Sequence, residues 1–392
     1  MNMILVDKPF ISEYFINTIY RNNFPVVKTP VAEQLCADIP ECLISEKEAV
    51  QKLMSAQDFK LYTTSENAIG WISENLKSSE LPEKINLFKD KGRFRSLLAK
   101  MYPKFAFEEV PFIMLNENTY ATFPMPFIIK PSVGFFSMGV HRVSNKKEWE
   151  KARIAIKNEM HAKRGLYPNE VLDTRKFILE ACIEGTEYAI DAYYNSQGEA
   201  VVLNILKHIF SSEDDVRDRV YLTSKAVFEE NLERFSEFLN QMGELAELKN
   251  FPAHVEVRVD EEGTIVPIEV NPMRFGGWCS TPDLTHYAYG FNAYEFYFED
   301  KKPDWETILS QKGDEVYSIV VLDNSTGVDA EDIQAFDYKK ILAQFHKPLD
   351  LRKIDYKEYP VFGFVFVETK PSEFDEIEAI LKSDMTEFIK QG

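Results

Sequence analysis

The stretch that most limits how this chain can fold is HVEVRVDEEGTIVPIEVNPMRFGG, residues 254–277. Side chains alternate faces along a strand. His254, Glu256 and Arg258 therefore share one face, and Val255, Val257 and Val259 the other. In the second run Pro267, Glu269 and Asn271 share a face, with Ile268 and Val270 opposite. Residues 260–263 supply the turn of an antiparallel hairpin. With Val259 paired to Thr264, Glu256 faces Pro267 and lies diagonally across from Glu269. Both carboxylates then project with Asn271 from one surface, and a slip of one residue would separate them. Two carboxylates and an amide oxygen form a hard, oxygen-rich set suited to magnesium, which also accepts substrate phosphates. Taken alone, such a hairpin is more often an ordinary one with a solvated polar face. The loop that follows, Pro272 to Gly277, adds Arg274, whose guanidinium is suited to phosphate or carboxylate oxygens.

Composition narrows what that surface can serve. The chain has 392 residues, with 64 Asp plus Glu against 45 Lys plus Arg, a formal net charge of -19. Acidity of this size argues against a nucleic-acid binder, which needs positive surface to release counterions, and against a polybasic membrane-surface protein. No apolar run approaches the roughly 18 residues of a spanning helix. MNMILVDKPF at the start lacks the features of a signal peptide. The four cysteines, Cys36, Cys42, Cys182 and Cys279, form no CxxC pair. They fit free thiols in a reducing compartment. A cytoplasmic protein with no disulfide framework, no nucleic-acid partner and no membrane partner is expected.

Three modules are expected, at 1–85, 86–300 and 301–392. The first alternates short strands (MILV, PVV, KLYTTS) with helices (ISEYFINTIY, AIGWISENL), an α/β pattern with a small parallel sheet. It has no GxGxxG fingerprint. KSSELPEKIN reads as the boundary near residue 80. Beyond it come a helix in KDKGRFRSLLAKMYPK and strands in PFIIK, KFILEA, EYAIDAYY and VVLNILKHIF. A long helix from about 224 to 248 precedes the hairpin. The tail holds two strand runs, YSIVVL and VFGFVFVE, and a terminal helix.

Upstream elements supply cations and backbone. FIIKPSVGFFSMGV sets Lys130 at the end of an apolar strand, followed by Ser132, Gly134, Ser137 and Gly139. Glycine allows close backbone approach, and amides and hydroxyls bind phosphate oxygens, although the loop is not a Walker A loop and a plain hairpin turn reads equally well. Between residues 85 and 106 lie Lys89, Lys91, Arg93, Arg95, Lys100 and Lys104, against a single acid, Asp90. That local reversal of sign suits a short polyanion. In FILEACIEGTEYAID the extended backbone at Glu180, Ala181 and Ile183 can read an adenine edge. Glu187 shares a face with Ala189 and Asp191 and could reach ribose hydroxyls.

Taken in order, KDK before a helix, FIIKPSVGFFSMGV, LEACIEGTE, HVEVRV and IEVNPMRFGG make the region from about Lys89 to Asp300 resemble the ATP-grasp superfamily. The resemblance implies mixed α/β and α+β architecture: an N-terminal α/β pre-ATP-grasp domain, a two-lobed ATP-grasp module and a small C-terminal α+β domain. It implies that Lys91 and Lys130 bind phosphates, with the loop of Ser132, Gly134, Ser137 and Gly139 closing over them. Glu180 would meet the adenine amino group beside the backbone of Ala181 and Ile183, and Glu187 would take the ribose. Glu256, Glu269 and Asn271 would hold Mg2+, two ions in number, with Mn2+ as an alternative. Arg274 would sit by the transferred phosphoryl group or the substrate carboxylate, sharing the catalytic role with Lys130.

The chemistry so implied is ATP-dependent ligation: a substrate carboxylate becomes an acyl-phosphate, which an amine or similar nucleophile attacks. No enzyme nucleophile is required, in keeping with six histidines and no evident triad. Small-molecule carboxylate and amine are the expected partners of ATP, and an exposed edge strand would allow a homodimer. An ATP-binding module without ligase chemistry and an ATP-grasp kinase are the alternatives. A biotin-dependent carboxylase is disfavoured because the chain has no biotinyl-lysine carrier context. Residues 209–223 are expected to form a lid with Arg217 or Arg219 facing a substrate carboxylate.

Overall fold

The computed structural model describes residues 1–116, 123–133, 139–163, 173–212 and 217–390. The first module is a parallel sheet of β1 (Asn2–Leu5), β2 (Val26–Lys28), β3 (Leu43–Ser45) and β4 (Lys60–Thr63), in the order β3-β2-β1-β4. Its helices start where the chemistry of capping predicts. Ser12 accepts from the Phe15 amide at the head of the helix Glu13–Asn22, and Asn23 ends that helix in the left-handed region at φ 49°. Within the polar stretch read as a boundary near residue 80 a helix opens, Leu81–Lys89, with proline in its first turn, where its missing N–H costs nothing. Asp90 ends that helix and caps the next, Lys91–Leu98, accepting from the Gly92 and Arg93 amides.

A small lobe follows, with β5 (Phe107–Pro111), β6 (Phe127–Val133), β7 (His141–Val143) and β8 (Asp173–Ala181) in the order β5-β8-β6-β7, all antiparallel. Phe127, Ile129, Trp149, Phe177 and Leu179 are its core. The chain then enters a large eight-stranded sheet in the order β13-β12-β9-β10-β11-β14-β16-β15. Its strands are β9 (Thr186–Tyr194), β10 (Ala200–Ile209), β11 (Val220–Ser224), β12 (Phe251–Val259), β13 (Ile265–Pro272), β14 (Val316–Asp323), β15 (Pro348–Lys353) and β16 (Val361–Thr369). The helix Lys225–Ala246, capped by Ser224, packs Phe235 against Tyr188 and lays Gly243 on the Tyr194 ring. Even-numbered positions of β9 thus face that helix, and Glu187, Ala189 and Asp191 face the opposite side.

Two features of the tail differ from the sequence expectation. It contributes a third strand, β15, whose PLDLRK sequence lacks a clear apolar alternation. All three of its strands extend the large sheet across the β11–β14 pairing, so residues 301–392 share that sheet while keeping a separate apolar cluster on its far side. Gly185 joins the two lobes at φ 108°, with the Val259 carbonyl where a Cβ would stand. Only glycine fits such a position without strain.

Candidate active site

The hairpin register is the first point at which structure refines sequence. Val259 pairs with Ile265, not Thr264, one residue out of the expected register. Uncorrected, that slip would turn Glu269 to the far side. A β-bulge at Ile268 absorbs it: Val257 pairs with Pro267, and Glu256 then stands directly opposite Glu269. His254 pairs with Asn271 two positions further on. The Asn271 amide nitrogen lies 3.3 Å from Glu256 Oε1 and 3.5 Å from Glu269 Oε1, so the three side chains converge.

Their electrostatics show what the trio lacks. Burial raises the Glu256 carboxyl well above its ordinary value, and the facing Glu269 adds to the rise. Burial acts on Glu269 too, but Lys91, Lys89 and Lys130 outweigh it and hold that carboxyl down. Lys91 Nζ is 3.6 Å from Glu269 Oε2. Two half-buried carboxylates facing one another, with the Glu256 carboxyl raised by desolvation and by its neighbour, make a donor set that a divalent cation would stabilise. Among the described residues no group of three His, Cys, Asp or Glu could hold a metal. A cation here would therefore rely on the Asn271 oxygen and on ligand oxygens beside the two glutamates.

The expected phosphate lysines both come to this place. Lys91 opens the helix Lys91–Leu98 and Lys130 lies in β6, and each is less than a tenth exposed. Burial depresses the Lys91 ammonium, partly offset by Glu269. Beyond Lys130, Ser132 is fully buried with its Oγ unpartnered, a polar atom pointing to a ligand or water. Gly139 has φ 69°. Gly134 and Ser137 lie outside the described residues, as do Phe135 and Phe136.

The structure gives the Glu180 carboxylate partners other than the expected adenine amino group. It is 2% exposed, accepts from Arg95 Nε at 2.8 Å and is ion-paired to Lys130 through its other oxygen. Burial would raise its pKa, but Arg95 and Lys130 hold it at about 2. Ala181 ends β8 with its amide bonded to the Ala106 carbonyl, and the Ile183 carbonyl accepts from Arg258. Glu187 lies between His208 Nδ1 at 2.8 Å and Arg258 at 3.0 Å, which together overcome burial and lower its pKa.

Arg274 is held in place. Its guanidinium meets Glu66 at 2.9 Å and the Phe275 carbonyl at 2.8 Å. Glu66, just past the carboxyl end of β4, also pairs with Lys89. No sequence signal marked Glu66, which is near Arg274 only because open parallel sheets present their strand ends to ligand clefts. In sequence, Asp191 stands out only by sharing Glu187's face. It is fully buried and accepts from His254, from the Gly276 amide and from Thr281, tying the hairpin to the loop after Arg274. From the tail, Arg352 reaches Asp283 at 2.5 Å and the Trp278 carbonyl. Arg219 corrects the expected lid role: it is buried against Asp323, Ser325 and the Ile380 carbonyl, so it does not face a substrate. Residues 213–216 of that segment lie outside the described residues.

Comparison with known proteins bears on the fold. Residues 123–282 match the family model of an ATP-grasp domain. Among solved structures, the fold is similar to L-amino acid ligase from Bacillus licheniformis, at 17% identity and TM-score 0.69, covering 99% of this chain and 98% of that one. It is similar to N5-carboxyaminoimidazole synthase from Aspergillus clavatus, solved with ADP and aminoimidazole ribonucleotide (13%, TM-score 0.65, 99% of each chain). It is also similar to the biotin carboxylase domain of Hydrogenobacter thermophilus 2-oxoglutarate carboxylase, solved with MgADP and bicarbonate (13%, TM-score 0.61, 97% and 89%). No curated protein sequence matches the chain. Among the described residues no helix is long and apolar enough to cross a membrane.

Proposed function

We propose that the protein is an ATP-dependent carboxylate–amine ligase working in the cytoplasm. The observation that carries the reading is the convergence of Glu256, Glu269 and Asn271 with Lys91 on Glu269, and with Lys130, paired to Glu180, near enough to help hold the Glu269 carboxyl down. The matched ATP-grasp domain supports it, as do the ADP and MgADP bound by two proteins of similar fold. We take residues 1–85, 86–300 and 301–392 as the three modules.

ATP lies in the cleft with its phosphates on Lys91, Lys130 and the segment from Ser132 to Gly139. Its adenine lies along the backbone of residues 181–183 and its ribose toward Glu187. Glu256, Glu269 and Asn271 would hold Mg2+, in two ions, which when bound would neutralise phosphate charge and orient the triphosphate. A substrate carboxylate oxygen attacks the γ-phosphorus in line and ADP departs. Lys130 and Arg274 stabilise the charge developing on the phosphoryl oxygens. The amine then attacks the acyl carbon of the acyl-phosphate, phosphate leaves and the new amide nitrogen loses its proton. Arg274 is fit for this work because Glu66 and the Phe275 carbonyl fix its fork before substrate arrives.

A coupled ADP-release screen over pools of carboxylic acids and amines, with mass spectrometry of the products, tests the reading. A carboxylate and an amine together should release ADP and phosphate and yield an amide. Release with an acid alone and a stable phosphorylated product would identify a kinase. Glu269→Gln should abolish substrate-dependent ADP release in a folded protein, and wild-type turnover in that variant would refute the metal assignment.

A further inference from the structure

We propose that Arg95 is a positioning residue that allows Lys130 to leave Glu180 for a nucleotide phosphate; this rests on the nucleotide reading of the cleft. Arg95 follows Lys91 by one helical turn, so both emerge from the same face of their helix. It is 4% exposed. Its Nε donates to Glu180 Oε2 at 2.8 Å, Nη1 to the Pro267 carbonyl at 2.6 Å and Nη2 toward the Ile268 carbonyl at 3.4 Å. Its Cζ lies 4.6 Å from the centre of the Phe105 ring. One side chain thereby joins the helix of Lys91, the last residues of β8 in the small lobe and the bulge that brings Glu269 opposite Glu256.

The charge arithmetic gives these contacts a function. Glu180 is buried between two cations, with Lys130 on Oε1 and Arg95 on Oε2. A buried carboxylate with one cationic partner strongly resists losing it, because the charge left behind has neither water nor a counter-ion. If Lys130 were the sole partner, turning its ammonium to a phosphate would strand Glu180. Arg95 cannot itself follow the phosphate, because two of its three nitrogens are committed to the β13 carbonyls. It therefore stays with Glu180 whatever Lys130 does, and Lys130 becomes the exchangeable member of the trio. Lysine, a compact charge on a flexible stem, suits the moving role, and arginine's planar fork suits the fixed one.

The test is MgADP titration by calorimetry on the full chain, with thermal melts as the control for folding. Arg95→Met should weaken MgADP binding by about 10- to 100-fold, the value of one lost charge-assisted contact, because Lys130 is then retained by Glu180. Arg95→Met with Glu180→Gln removes the stranded charge and should bind MgADP more tightly than Arg95→Met alone. Arg95→Lys keeps a cation beside Glu180 while losing the bonds to Pro267 and Ile268. It should bind MgADP within about threefold of wild type, and it decides the matter if Arg95→Met does not fold. An unchanged affinity in folded Arg95→Met, a double variant as weak as the single one, or a weak Arg95→Lys would each overturn the proposal in favour of a purely architectural arginine. Absence of MgADP binding by the wild-type chain would instead refute the nucleotide reading itself.

Discussion

Replacing Glu66 by Gln tests the anchoring of Arg274 from an unexpected side. Glu66 is buried between Lys89 and Arg274, and although burial alone would raise its pKa, the two cations bring it from 4.5 to about 2. A carboxyl displaced that far contributes about 3 kcal/mol to stability at neutral pH, in line with the roughly 3–5 kcal/mol lost when one partner of a buried ion pair is removed. The folded pKa is depressed, so the contribution is present above the unfolded value of 4.5 and disappears as pH falls from there through about 2. With an unfolding entropy of roughly 2.1 cal/mol/K per residue, about 3 kcal/mol shifts the midpoint of a 392-residue chain by roughly 4 °C if it unfolds cooperatively. The assay is a series of thermal melts of wild type and Glu66→Gln between pH 7 and pH 2.5. The gap in midpoint should be widest above about pH 5 and close toward pH 2. A gap that stays constant across the range would refute the ion-pair origin and leave only lost packing. Because the same carboxylate fixes Arg274, the variant should also lose ligase turnover at pH 7.

Other perturbations follow from the same contacts. Gly185→Ala forces a side chain into φ 108° and onto the Val259 carbonyl, at about 1–3 kcal/mol for the dihedral before any displacement of β12; a lowered urea midpoint checks it, and an unchanged one would show that the lobe junction relaxes freely. Asp191→Asn replaces an acceptor of three hydrogen bonds with a group that must also donate, and should cost about 2–3 kcal/mol in denaturant titration. Arg352→Met leaves Asp283 buried and unpaired, with an expected loss of roughly 3–5 kcal/mol. Adding Asp283→Asn should recover much of that loss in thermal melts, and no recovery would argue against the pair.

Residues near one another in sequence were legible because their chemistry is local. Alternation placed Glu256, Glu269 and Asn271 on one surface without coordinates, and Lys130 at the end of an apolar strand run and Lys91 just before a helix lie in short-range patterns. The register was legible only in outcome. The expected pairing was displaced by one residue, and the bulge at Ile268 restored the shared face. No local signal marks that bulge, because its carbonyl is satisfied by Arg95 from a helix some 170 residues earlier in the chain.

The sequence by itself determined the class of architecture and the alternation that places Glu256, Glu269 and Asn271 on one surface, since both rest on periodicity and on spacings of a few residues. Tertiary structure alone decided which charges are paired. Glu66 reaches Arg274 across 208 positions, Arg95 reaches Glu180 across 85, and Arg352 reaches Asp283 across 69. Ion pairing between buried groups depends on which strand ends and helix faces the fold brings within about 3 Å of one another. Such distances are set by the packing of whole lobes, which no local spacing encodes.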